Sequence, residues 1–307
     1  MSRYPPPMDP VHAWLLEGDP AIRWQAMRDL LDAPEVEWQT ERAKLQSKGN
    51  GKRYLDLQDK EGTWAGGIYT PKWTSTTYTL LHLREMGFSD DCPAARRGAE
   101  RILDQLQRSR ELGMCTCVVG MWLALTVRFG LRDEVQDRMI VRILEHQFED
   151  GGWNCRWPRI AKTHHSSFHT TLNVLDGVRE CLENGIGPSD DLRKAEARAV
   201  ELLLQHGLFR SDRTGNVINA KFKEPHFPPR WHYDFLRALE FMRTLPAIKD
   251  RRLAESFELL ESQRREDGRW PAAKGYGGVV FFPVEDGRQG SRWNTLRALR
   301  CLRARAA

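Results

Sequence analysis

Three segments of this chain repeat one pattern. Gln58 to Trp64 reads QDKEGTW, Gln147 to Trp153 reads QFEDGGW, and Gln263 to Trp270 reads QRREDGRW. Each is a glutamine, three or four residues, a glycine, one further residue and a tryptophan. Each follows a charged amphipathic stretch, where a glycine suits a left-handed helix C-cap. Each precedes a polar loop and a new helix opening with Ser, Thr, His or Asn. Two degenerate copies without the tryptophan start at Gln107 and Gln205, so the five glutamines are spaced by 49, 40, 58 and 58 residues. A repeat on this scale marks an array of supersecondary units. Here the units are helical hairpins of uneven period. The glutamine amide is expected to bond backbone groups at a helix end, with the tryptophan stacked over it, tying each hairpin to the next.

The intervening sequence is helical in pattern. Residues 138–147, 193–205 and 251–263 are amphipathic with many Arg and Glu on the polar face. Residues 75–86, 116–129, 167–182, 231–242 and 292–302 are less charged. Asp9-Pro10 and Asp19-Pro20 read as N-caps followed by proline at the first helical position. The segment GDPAIRWQAMRDLL after Leu16 and Glu17 resembles the start of a HEAT-type helix. Residues 279–282 form the one β-like run, and the flanking Gly277-Gly278 and Pro283 suit an extended loop.

Composition sets the class. Hydrophobic residues make up 40% of the 307, which excludes a disordered chain. The net charge of +5 is too diffuse for nucleic acid. The longest charge-free apolar stretch, residues 114–127, is shorter than the roughly twenty residues of a membrane span and reads as a buried core helix. Residues 1–10 lack the apolar segment of a secretory signal. With six scattered cysteines, the expectation is a cytoplasmic protein with reduced thiols.

The Gln…Gly-x-Trp segments resemble the repeats of squalene–hopene cyclases, oxidosqualene cyclases and related terpenoid cyclases, whose fold is shared by protein prenyltransferase β-subunits. The resemblance covers about residues 50–303. It implies an all-α fold, an α/α toroid with an inner ring of helices inside an outer ring. Residues 1–48 are then a short N-terminal helical extension and residues 49–307 the toroid domain. In that picture the charged helices are outer and the apolar ones inner. The departures are also clear. No D-x-D-D motif is present. Asp90-Asp91 and Asp190-Asp191 read as helix caps. Asp133 to Asp137 (DEVQD) opens an amphipathic helix, where acids suit the positive end. No D-x-C zinc signature is found.

The resemblance also implies that the inner-helix N-termini open onto a central cavity. Four openings stand out: KWTST from Lys72, THHSSFHTT from Thr163, PRWHYD from Pro229 and SRWN from Ser291. The candidate catalytic residues are His165, His169, His232 and Asp234. His165 and His169 are four apart and would share a face if the helix has begun, so with Asp234 they are candidate ligands for zinc or another divalent metal. His232 with Asp234 is alternatively an acid/base pair. Helix capping by Asp234 and imidazoles bonded to loop carbonyls are the competing structural roles. The candidate substrate-binding residues are Trp73, Tyr78, Asn173, Arg230, Trp231, Arg292, Trp293 and Asn294. Aromatics there would hold an apolar chain or a carbocation, and core packing is the alternative for each. Cys115, Cys117 and Cys155 also sit at such openings and as buried thiols need no function.

These features lead to an expected apolar central cavity that acts on or binds an isoprenoid-like or other apolar small molecule, with metal assistance as an option. A carbohydrate-active α/α-barrel hydrolase or lyase is one alternative, with Asp234 and Glu285-Asp286 as the only evident rim acids. A non-catalytic helical-repeat scaffold is the other. The sequence does not give an oligomeric state.

Overall fold

The structure is a computed structural model that describes residues 8–108, 115–155 and 164–307. Its helices are α1 (Pro10–Leu16), α2 (Pro20–Asp29), α3 (Glu35–Ala43), α4 (Gly49–Leu55), α5 (Thr76–Met86), α6 (Pro93–Arg108) and α7 (Thr116–Arg128). They continue with α8 (Glu134–Glu145), α9 (Phe168–Glu183), α10 (Ser189–Gln205), α11 (Phe235–Met242), α12 (Ala254–Ser262) and α13 (Arg292–Ala306). Among the described residues there is no strand, only two isolated bridges. Residues 279–282 are loop, and no described helix is long and apolar enough to cross a membrane.

Local chemistry sets the helix ends. The Asp9 and Asp19 carboxylates accept from Val11 and Ala21 N–H, and Pro10 and Pro20 follow them. Asp133 and Gln136 form a reciprocal capping box on α8, so the acidic pair there is a helix start. Ser167, Asp234 and Ser291 cap α9, α11 and α13. Sequence periodicity starts α11 at residue 231, but Asp234 is its cap. Trp231 and His232 therefore lie in the preceding loop.

Six helices form a closed inner ring: α2, α5, α7, α9, α11 and α13. The Trp122 indole of α7 donates to Thr77 Oγ1 of α5 at 2.8 Å. α7 and α9 cross closely because glycines face each other there. A Cβ on Gly120 would lie 2.6 Å from Asn173 O, and one on Gly177 would lie 2.7 Å from Gly120 O. Arg237 of α11 bonds Asp176 of α9 at 2.6 Å. Arg300 of α13 pairs with Glu240 of α11 and, at 2.6 Å, with Gln25 of α2. α2 then returns to α5, because the Trp24 indole donates to Met86 O at 2.9 Å. The fold is an α/α toroid. α13 packs against α2, and α2 against α5. α2, drawn from residues 1–48, stands between α13 and α5.

The repeated segments do one job three times. The Trp64, Trp153 and Trp270 side chains are fully buried. Each indole N–H donates to a carbonyl ten residues earlier: Tyr54, Ile143 and Leu260, at 2.7 to 2.8 Å. Each backbone N–H donates to a threonine at the start of the next inner helix: Thr76, Thr171 and Thr295. The Gln58 and Gln147 amides donate to Ala94 O and Ala195 O, so they tie each outer helix to the next outer one. Gln263 instead reaches Lys223 O. The tryptophan is therefore held by its indole N–H to the outer helix that precedes it.

Candidate functional site

The loop 225–234 runs across the N-terminal end of the inner ring. It brings most of the sequence-predicted site residues into one cluster. Trp231 stacks on His232 at 3.8 Å, His232 stacks on Tyr276 at 3.6 Å, and Tyr276 stacks on His226 at 4.4 Å. The edge of His169 meets Trp231 at 5.3 Å and His232 at 6.0 Å. Trp73 packs edge-on against Tyr78 at 4.9 Å, and its indole donates to Gly277 O at 2.7 Å.

Two non-glycine residues here adopt left-handed backbone, Trp73 with φ 72° and Arg230 with φ 56°. Such outliers persist only where the surroundings hold them, and they gather at ligand sites. The pair is in contact: the Arg230 guanidinium carbon lies 4.3 Å from the Trp73 ring centroid. Lys72 Nζ lies 5.7 Å from Trp73 and 5.9 Å from Trp231. Neither Lys72 nor Arg230 makes a hydrogen bond or ion pair with another described residue. Burial pulls the Arg230 pKa down to about 10, against the opposing pull of Tyr54 and Tyr78. It is a partly desolvated cation without a counter-ion.

Arg230 lines a cavity of about 340 Å³. The apolar part of its wall is Tyr54, Phe227, Tyr276, Val280 and Phe282. The loop 271–291 forms one side and is pinned by Asn50 Nδ2 to Val284 O at 2.9 Å. Glu285 stands in the same wall, where burial pushes its carboxyl pKa up against its bond from Ser291 Oγ.

His169 and His232 are neutral at physiological pH. Burial lowers His169 to about 4 and His232 to about 3. His169 Nδ1 accepts the Tyr233 N–H at 2.8 Å, which puts its proton on Nε2. His232 Nε2 is buried without a partner.

The expected metal centre is not assembled. α9 begins at Phe168, so exposed His165 precedes the helix and does not share the His169 face. Asp234 is fully buried as the cap of α11, accepting from Arg237 N–H at 2.8 Å and His226 N–H at 3.3 Å. Both its oxygens are committed there, so it neither joins His169 on a metal nor orients His232. No group of three His, Cys, Asp or Glu among the described residues is arranged to hold a metal.

The remaining candidates hold the loops. Asn173 Nδ2 donates to His169 O and Trp231 O, and Asn294 Nδ2 donates to Pro225 O and Pro271 O. Trp293 stacks on Phe227 at 4.0 Å, and Phe227 meets the edge of His82 at 5.4 Å. Arg292 turns away from the cavity, bonding Trp14 O at 3.0 Å and lying 4.5 Å over the Trp14 ring. The basic segment 156–162 and Thr163 lie outside the described residues. Sequence reading missed Tyr54, Phe227 and Tyr276 as part of this wall. None stands at an inner-helix opening, and only the ring closure brings them in.

Pro228 and Pro229 separate this cavity from a second one of about 230 Å³ at the opposite end of the ring. The second is charged, although an apolar centre was expected. Arg84, Asp176, Glu180, Arg237, Glu240 and Arg300 are among its lining residues. Arg84 bonds Glu180 at 2.8 Å, and Asp176 lies between Arg84 and Arg237. Arginines suit the last turns of helices, where the backbone dipole is negative. Once buried they must be paired, so Arg84, Arg237 and Arg300 meet carboxylates of neighbouring inner helices.

No family profile matches the sequence, and no curated protein matches it. Two solved structures are similar in shape. One is a protein from Actinoplanes, 16% identical, covering 94% of this chain and 91% of that one, with a TM-score of 0.45. The other is the type II terpene cyclase MstE from Scytonema in its apo form, 15% identical, covering 93% and 88% of the two chains, with a TM-score of 0.46.

Proposed function

We propose that the protein binds, and acts on, a small molecule that joins an apolar body to an anionic group. An isoprenoid diphosphate is the substrate class that fits. The observation that carries this reading is Arg230: a half-buried guanidinium, stacked on Trp73, with no carboxylate to neutralise it. Leaving a cation in that state is costly unless a ligand anion completes it. Guanidinium is the side chain best matched to phosphate oxygens. Lys72 adds a second positive charge beside the same ring. The aromatic wall of Tyr54, Phe227, Tyr276 and Phe282 would take the apolar body, and 340 Å³ is within the usual range for a small-molecule site. Metal assistance is not part of this reading, because His165, His169 and Asp234 do not converge.

Titration followed by tryptophan fluorescence tests it, since Trp73 touches Arg230. Geranyl diphosphate should bind at least tenfold more tightly than geraniol, and Arg230→Ala should abolish that preference. Equal affinity for the two compounds in the wild type would refute the assignment. An unchanged preference in Arg230→Ala would do the same.

A further inference from the structure

Cys155 lies 38 residues beyond Cys117, yet it meets Cys115 and Cys117 at the N-termini of α7 and α9. Cys155 Sγ accepts the Cys117 backbone N–H at 3.2 Å and the Thr170 hydroxyl at 3.3 Å. The Cys117 and Cys115 side chains lie beside it. Two donors thus converge on one sulfur at the opening of a thirteen-residue helix. All three cysteines are half-buried, so the sulfur is not sealed in the core.

We propose that Cys155 is a reactive thiolate that exchanges with small-molecule disulfides, with Cys117 as its resolving partner. Donors aimed at a sulfur stabilise the thiolate, and a helix N-terminus adds to this. The hydrogen bond from Cys117 holds the Cys155 pKa below the usual thiol range, while the same bond and burial push Cys117 up. The two cysteines therefore divide the roles of attacking thiolate and proton-bearing partner.

The exchange balances as follows. The Cys155 thiolate attacks one sulfur of R–S–S–R, forms a mixed disulfide and releases RS⁻. The Cys117 sulfur then attacks Cys155, its proton leaving with the second RSH. The products are a Cys117–Cys155 disulfide, one RS⁻ and one RSH, and two electrons have passed to the added disulfide.

Other titratable and charged groups among the described residues also approach the site. Tyr69 and Tyr78 approach from the α5 side, and Arg142 of α8 approaches Cys115. α9 contributes the neutral Thr170. The remaining thiols provide an internal contrast: burial raises Cys92, takes Cys181 up to about 12, and raises Cys301 well above its ordinary value.

The test uses oxidised glutathione on the native full-length protein, followed by alkylation and non-reducing peptide mapping. The expected product is a Cys117–Cys155 cross-link. In Cys117→Ser the expected product is glutathione retained on Cys155. The pH profile of Cys155 alkylation by iodoacetamide should have its midpoint below about 7.5, against about 8.5 for an ordinary thiol. Thr170→Val should move that midpoint upward. Glutathione spread evenly over the six cysteines, or a wild-type midpoint near 8.5, would overturn the proposal. Both wild-type readouts stand without any variant folding.

Discussion

Acid should loosen the inner ring through His82. This residue is 4% exposed in the middle of α5, between Tyr54 at 5.0 Å and Phe227 at 5.4 Å. Its Nε2 is buried without a partner. Burial, and then the charge of Arg230, lowers its pKa from 6.5 to about 3. The folded pKa is depressed, so the stability tied to neutral His82 is present above pH 6.5. It is lost as pH falls from 6.5 towards 3, because only the unfolded chain takes up the proton. From 6.5 down to pH 4 is about 2.5 units, and each is about 1.4 kcal/mol, giving about 3 kcal/mol as an upper figure. That is a large part of a typical domain's 5–15 kcal/mol. His82→Phe suits the aromatic surroundings and cannot be protonated. Urea unfolding at pH 7 and pH 4 measures the effect. The wild type should lose about 3 kcal/mol more than His82→Phe between the two pH values, since all other titrating groups are shared. Equal losses in the two proteins, or an NMR titration placing His82 near 6.5, would refute the reasoning.

Four further changes test the packing. Trp153→Phe removes the indole bond to Ile143 O and leaves that carbonyl buried, so urea midpoints should report a loss of about 1–3 kcal/mol. Trp231→Phe makes the same chemical change where the indole N–H has no partner, and should cost less than about 1 kcal/mol. Arg84→Met strands Glu180 and Asp176. It should cost about 3–5 kcal/mol by chemical denaturation, with part recovered by adding Glu180→Gln. Gly120→Ala would press a methyl against Asn173 O and Val174 Cα of α9. Thermal unfolding should show a loss of about 1–3 kcal/mol.

The hairpin array is legible in sequence because its parts are local. Gln58, Gly62 and Trp64 lie within seven residues, and the Trp64 indole reaches only ten residues back. Capping is local too, which is why Asp133 and the Asp-Pro pairs read correctly. The position of α2 was not legible. Its ring contacts join Trp24 to Met86 and Gln25 to Arg300, across 62 and 275 residues. The cluster at the N-terminal end was half visible. Trp73, His169, Arg230, Trp231 and His232 stand at helix openings, so their neighbourhood follows from the ring. The partners that decide their chemistry, Tyr276 and Phe227, come from loops without periodic pattern. The charged cavity was hidden for another reason. Arginines such as Arg84 and Arg237 look like solvent-facing residues of amphipathic helices until closure buries them against Asp176.

The most direct test is a crystal structure of the protein with geranyl diphosphate bound. The account predicts phosphate oxygens about 2.8 Å from the Arg230 guanidinium and the carbon chain against Tyr54, Phe227 and Phe282. A diphosphate seated instead among Arg84, Arg237 and Arg300 at the other end of the ring, with the Arg230 cavity empty, would contradict it.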